Sequence, residues 1–244
     1  MTMSASETNS ETSSETSGKS GTDTGGPRRP GRHYDYVADG AEIYRRSFAT
    51  IRAESDLGSV PTDAEKLAVR MIHGSGQVDL ARDLVIHADL VRRGRAALRA
   101  GAPILCDAQM VARGVTAGRL PADNPVHCLL GDPRVPELAR SWSTTRTAAA
   151  VSLWAPLLDG AVVAIGNAPT ALFHLLEMLI DGAPRPAAII GCPVGFIGAA
   201  ESKQALVDLA ASRGIDVPFV TVTGRRGGSA IASSALNALA QEEE

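Results

Sequence analysis

The chain has 244 residues, 44% of them apolar, which suits one α/β domain with a full core plus a tail. Aromatics at 4% and a formal net charge of −3 provide neither a base-stacking platform nor a basic footprint, which argues against nucleic-acid binding. The N-terminus has no apolar signal-peptide core, and no run of about 18 apolar residues exists to span a membrane. Three cysteines without short paired spacing (Cys106, Cys128 and Cys192) argue against a disulfide framework or zinc knuckle, so a cytoplasmic protein is expected.

Residues 1–32 are rich in Ser, Thr, Gly and Glu with almost nothing to bury, the composition of a disordered tail; the folded domain is expected over 33–244. Tyr44, Phe48 and Ile51 recur at i, i+4, i+7, so 39–54 reads as an amphipathic helix. A second helix follows Pro61, with Thr62 and Glu65 as a capping box and Ala64, Leu67, Ala68, Met71 and Ile72 on one face. It is expected to end at His73, with Gly74 and Gly76 as the stop. A third helical stretch covers about 89–100.

Beyond it the pattern alternates. Short runs that are apolar on both faces lie at 103–106, 126–130, 161–165, 187–190 and 218–222, separated by helical lengths such as 136–157, 170–181 and 199–213. This predicts a three-layer α/β/α sandwich with a mainly parallel central sheet. Ligands of such sheets collect outside the carboxyl ends of the strands. The residues there are Asp107, then Gly131-Asp132-Pro133, then Gly166 to Thr170, then Gly191 to Gly198, then Gly224 to Ser229. Glycines let backbone approach a ligand, and the following helices aim free N–H groups at the same crest, which favours a large ligand bearing negative groups. Thr170 and Ser229 are candidate N-caps or ligand contacts. No G-x-G-x-x-G spacing, P-loop ending, H-x-x-x-H pair or G-x-S-x-G elbow occurs, so no nucleotide, metal or serine-hydrolase site is indicated.

His73 is the acid–base candidate. The C-terminal dipole of its helix favours the imidazolium by a few tenths to about 1 kcal/mol, which is expected to raise its pKa and keep a proton available near neutrality; the plain alternative is a helix cap. His87 reads as solvated, His127 and His174 as packed, and His33 as part of the tail edge. Arg146 sits within the predicted helix 136–157, either as a surface charge or as a ligand cation. Lys203 lies near the start of a helix, where a cation opposes the dipole and hints at a counter-anion, with Glu201 as the rival partner.

The segments YDYVADGAEIYRRSFATIRAE (34–54), LAVRMIHGSG (67–76), AGAPILCDAQMVARGVT (100–116), VVAIGNAPTALFHLLEML (162–179), PAAIIGCPVGFIGAAESKQAL (186–206) and GRRGGSAIASSALNALA (224–240) together resemble the precorrin-8X methylmutase family, called cobalt-precorrin-8 methylmutase in the cobalt-early route. The resemblance implies a flavodoxin-like fold and a methyl shift from C11 to C12 of a corrin precursor, giving hydrogenobyrinate. It further implies no cofactor, a homodimer with sites near the subunit interface, and hand-over to other corrin-pathway enzymes. The family's R-M-[IV]-H motif falls on Arg70 to His73, making His73 the catalytic acid, and its T-R-[ST]-A segment places substrate binding on Arg146. Ser47, Asp107, Thr116, Asn167, Thr170 and Ser229 lie in matching segments and are expected to contact substrate, with Lys203 and Arg225 holding its acidic arms. The competing expectations are a non-catalytic corrinoid carrier, in which His73 only caps its helix, and a flavin- or nucleotide-binding oxidoreductase, which the missing phosphate fingerprint opposes.

Overall fold

The structure is a computed structural model that describes residue 27, residues 30–212 and residues 216–241. The expected tail therefore lies almost entirely outside the described residues. By its internal contacts the chain divides into a unit ending at Val37 and a unit from Ala38 onward. In the first, the Arg32 guanidinium lies 4.9 Å from the Tyr36 ring centre.

The second unit begins with α1 (Gly40–Glu54), whose Asp39 carboxylate accepts from the backbone N–H groups of Ala41 and Glu42. Next come α2 (Glu65–Ser75), β1 (Leu84–Ile86), α3 (Leu90–Arg99), β2 (Ile104–Cys106), α4 (Gln109–Gly114) and β3 (Val126–His127). The chain continues through α5 (Val135–Ser141), α6 (Arg146–Ser152), β4 (Val162–Ile165), α7 (Pro169–Ile180), β5 (Ala188–Gly191), α8 (Ala199–Ser212), β6 (Phe219–Val222) and α9 (Ser229–Ala240). The strands form one sheet in the order β1-β6-β5-β4-β2-β3. All neighbours are parallel except β1, which runs antiparallel to β6 with Leu84 opposite Val222.

Successive side chains of a strand point to opposite faces, and the two cores follow that period. Ile104, Val162, Ala164, Ile190, Val220 and Val222 face one core with α1, α2, α3 and α9, while Leu105, Val163, Ile165, Ile189 and Phe219 face the other with α7 and α8. This is the expected three-layer sandwich. Among the described residues no helix is long and apolar enough to cross a membrane.

Three local expectations are corrected, and one strand, β1, was not expected. The predicted helix 136–157 is broken into α5, α6 and a 3-10 turn, with Ser143 at φ 51 in the gap. The capping box does not form: Thr62 begins a 3-10 turn, no side chain caps α2, and Glu65 instead accepts from Arg52 Nε at 2.8 Å. The short β1 was hidden because its residues are only half-buried, without a clear alternation. Finally, α2 continues past His73 to Ser75 and stops at Gly76, whose φ of 68 and N–H to the Ile72 carbonyl make the helix end.

Candidate functional site

The last turn of α2 presents His73 to α1. Its Nδ1 is 2.8 Å from the Ser47 hydroxyl, and Nε2 has no hydrogen-bond partner among the described residues. Tyr44, one turn before Ser47 on α1, and Phe48, the residue after it, set their ring centres 5.2 Å and 5.4 Å from that of the imidazole. Three contacts from one helix thus fix the ring's orientation. When the ring is protonated, Nδ1–H donates to Ser47 and Nε2–H is the proton available to a ligand. Burial pushes the imidazole below its ordinary value of 6.5, and the guanidinium groups of Arg70 and Arg119 push the same way. This corrects the expected upward shift: two cations and lost hydration outweigh a helix-end dipole worth at most about 1 kcal/mol.

The facing wall comes from α9 and the turn after α4. His73 lines a cavity of about 230 Å³ with Tyr44, Arg70, Gly114, Thr116, Arg119, Ala230, Ser233, Ser234 and Asn237. A larger cavity of about 630 Å³ adjoins it through the shared residues Tyr44, Arg70 and Arg119, and is also lined by Arg45, Phe48, Arg52 and Gln241. The helices approach closely because two glycines allow it. A Cβ on Gly74 would lie 2.3 Å from Ser234 Oγ, and one on Gly114 only 2.6 Å from Ser233 Cβ. Asn237 locks the turn, accepting from the Thr116 N–H and donating to the Gly114 carbonyl, each at 2.9 Å.

Of the residues expected from sequence, Ser47 and Thr116 therefore join His73. Asn167, Thr170, Arg146 and Arg225 are exposed: Asn167 and Thr170 follow β4, Arg225 follows β6, and Arg146 opens α6. Thr170 Oγ1 is 2.8 Å from Thr145 Oγ1, which ties the start of α7 to the start of α6, where Arg146 stands in the first turn rather than mid-helix. Arg225 lies 5.5 Å over the Phe196 ring. Ser229 is the first residue of α9, not its cap; Gly228 takes that position, and Ser229 Oγ is buried without a partner among the described residues. As the first residue of α9, Ser229 belongs to the same helix as Ala230, Ser233 and Ser234 of the His73 cavity.

Two expected substrate contacts are buried. Asp107 accepts from the backbone N–H groups of Gly166, Asn167 and Ala168 at 2.9, 3.0 and 2.7 Å, so both carboxylate oxygens are spent holding the loop after β4. Burial pushes its pKa up, opposed by those three donors. Lys203 is 0% exposed and donates to the Arg226 carbonyl, pinning the loop after β6; burial lowers its pKa to about 8. Each holds a neighbouring loop through these bonds. Lys203 tolerates its place near the start of α8 because its partner is a carbonyl of another loop, not Glu201.

Several lining residues were not singled out by sequence. Tyr44 was assigned to the apolar face of α1. Ser233 and Asn237, four apart in an otherwise Ala/Leu-rich helix, carry a signal: polar groups at one helical spacing on a packed face. Arg119, in a 3-10 turn without a motif, carries none.

A family model described as precorrin-8X methylmutase matches residues 42–242. A precorrin-8X methylmutase of Sinorhizobium sp. is 60% identical over 208 residues, covering 85% of this chain and 97% of that protein. One from Pseudomonas aeruginosa is 60% identical over 210 residues, covering 86% and 99%. The cobalt-precorrin-8 methylmutase of Priestia megaterium is 37% identical over 201 residues, covering 81% and 86%. Among solved structures, a precorrin-8X methyl mutase from Thermus thermophilus superposes with a TM-score of 0.73 at 38% identity, covering 82% of this chain and 95% of the other.

Proposed function

The chain belongs to the precorrin-8X methylmutase family of cobalamin-pathway isomerases, and we propose that it moves a methyl group from C11 to C12 of precorrin-8X, giving hydrogenobyrinate, with His73 as general acid. The observation that carries this is the His73 imidazole itself, held at Nδ1 by Ser47, open at Nε2, and facing an arginine-lined cavity. The metal-free substrate is favoured by 60% identity to precorrin-8X enzymes against 37% to a cobalt-precorrin-8 enzyme.

The reaction is a rearrangement. The bond from C11 to the methyl carbon breaks, the bond to C12 forms, and the ring double bonds shift to accommodate both. A proton placed on the conjugated system draws electron density from the migrating centre and returns to the base afterwards, so no net proton is consumed. His73 at Nε2 supplies and recovers it, with a gain of about 10²–10⁴-fold. In the free protein the imidazole leans toward neutrality because of its burial, with Arg70 and Arg119 pushing the same way. The acetate and propionate arms of the substrate bring the opposite charge, which restores the imidazolium once the ligand is seated.

Thr116, Arg146, Asn167, Thr170, Arg225 and Ser229 are proposed to hold the arms by charge-assisted or neutral hydrogen bonds, with Asp107 and Lys203 fixing the loops behind them. A homodimer that completes the site, a cytoplasmic location, hand-over to other corrin-pathway enzymes, and a catalytic domain over 33–244 following a tail over 1–32 belong to the same proposal. The test is His73→Ala. It is expected to fold, to bind precorrin-8X and to lose turnover by about 10²–10⁴-fold. Conversion at the wild-type rate overturns the acid assignment, and binding without conversion by the wild-type protein leaves a carrier.

A further inference from the structure

The two cavities beside His73 share a neck at Tyr44, Arg70 and Arg119, and no carboxylate lines either of them among the described residues. Most of the cations there are already engaged. Arg45 is bidentate to Glu42, Arg52 bonds Glu65, and Arg70 lies 5.4 Å from the Phe48 ring centre. Arg119 differs. Its side chain is half-buried, yet its guanidinium has no hydrogen bond or ion pair among the described residues. An accessible guanidinium without a protein partner, between two cavities that no carboxylate lines, is suited to an anionic ligand.

Its backbone, by contrast, is tightly placed. The Arg119 N–H donates to the Thr116 carbonyl at 2.9 Å, and the Thr116 N–H donates to Asn237. The fold therefore invests in presenting this side chain at the neck.

Building on the proposed methylmutase activity, we propose that Arg119 is a specificity-determining residue that binds a carboxylate arm of the macrocycle at the neck between the cavities, seating the ring edge against His73. A carboxylate docked there does two things. It fixes the register of a ring that carries several similar arms, because only one arm reaches a guanidinium inside the neck. It also cancels a cation next to His73. The charged or titratable groups lining the cavity with His73 are Tyr44, Arg70 and Arg119; Thr116, Ser233, Ser234 and Asn237 are neutral. Burial is the first cause that holds the imidazole below its ordinary value; neutralising Arg119 removes one of the two positive charges that add to it, which favours the imidazolium when the substrate is in place.

The test uses the full chain and hydrogenobyrinate, the proposed product, as a spectroscopic binding probe, which requires no turnover. Arg119→Gln is expected to weaken binding about 10- to 100-fold, the loss of a charge-assisted hydrogen-bonded pair, with Arg119→Lys intermediate. In the unliganded protein, Arg119→Gln is expected to raise the His73 pKa followed by NMR, and the product-induced rise seen in the wild type is expected to shrink. Circular dichroism confirms that the variants fold. Equal product affinity in wild type, Arg119→Gln and Arg119→Lys overturns the proposal and leaves the methylmutase reading standing. A wild-type protein that does not bind hydrogenobyrinate overturns both.

Discussion

The Ser47 hydroxyl has one visible task, to hold Nδ1 of His73, and this makes it a positioning residue whose loss is readable. In the imidazolium it must accept from Nδ1–H, so it stabilises the charged form. Ser47→Ala is expected to lower kcat about 10-fold with little change in KM and to move the kcat pH limb to lower pH, while Ser47→Thr restores both. A purely structural serine would leave the pH limb in place. The same logic fixes the profile of the native protein. An acid must be protonated, so kcat/KM is expected to fall as pH rises through the free imidazole's value, which lies below 6.5. The limb in kcat is expected at higher pH, because bound carboxylates oppose Arg70 and Arg119. The sign for stability is opposite: a base whose folded pKa is depressed binds protons better when unfolded, so its contribution to stability rises with pH through that window and is lost below it. The motif around His73 was legible in sequence, but its pKa direction was not. The helix dipole and Arg70, three residues before His73, are visible in a sequence, whereas the burial of the ring, which is the first cause, and Arg119, 46 residues after His73, are not.

At the scale of elements, the site depends on how closely α2 and α4 approach α9. Gly114 ends α4 against Ser233, and an added methyl would sit 2.6 Å from Ser233 Cβ, an overlap that no side-chain rotation relieves. Gly114→Ala is therefore expected to destabilise the protein by about 1–3 kcal/mol in chemical denaturation and to raise KM by displacing the Thr116–Arg119 turn. Adding Ser233→Gly removes the clashing atoms and is expected to recover much of both losses; no recovery would mean that the contact is not the cause. Elements with a strong period were readable in advance. The spans of α1, α3, α7 and α8 and the central strands β2, β4, β5 and β6 lie within a residue or two of expectation, because long amphipathic helices and doubly buried strands leave unmistakable patterns. The break between α5 and α6 was less legible. No glycine or proline announces it, and the signal lies instead in the Ser/Thr cluster Ser143-Thr144-Thr145, whose last member caps α6 by accepting from the Ala148 N–H. The burial of Asp107 and Lys203 was not readable, since a polar residue near a strand end looks the same in sequence whether it meets solvent or a neighbouring loop.

For the whole molecule, the parallel sheet explains why so much of the crest could be located from the chain alone: five strand ends, all on one edge, had to carry the loops. What the sheet does not determine is what covers that edge. The loop between β5 and α8 ends in Phe196 and Ile197, which are 85% and 90% exposed, with Val194 beside them. Two adjacent large apolar side chains held out in water forgo about 1.5–3 kcal/mol each of burial, which on a natural surface marks a contact with another molecule. The loop leaves β5 at the same edge where Asn167, Thr170 and Arg225 stand, so a second copy seated on it would also wall the substrate crest, as the proposed homodimer requires. Ile197→Glu paired with Phe196→Glu is then expected to shift the sedimentation mass from dimer toward monomer and to raise KM together with it. The dependence on protein concentration separates the causes: if the loop acts through assembly, KM in the variant falls as the protein is concentrated, and if it acts only as a cover over the substrate, the mass stays dimeric while KM rises. A variant that remains dimeric with unchanged KM would show that this loop is neither interface nor cover.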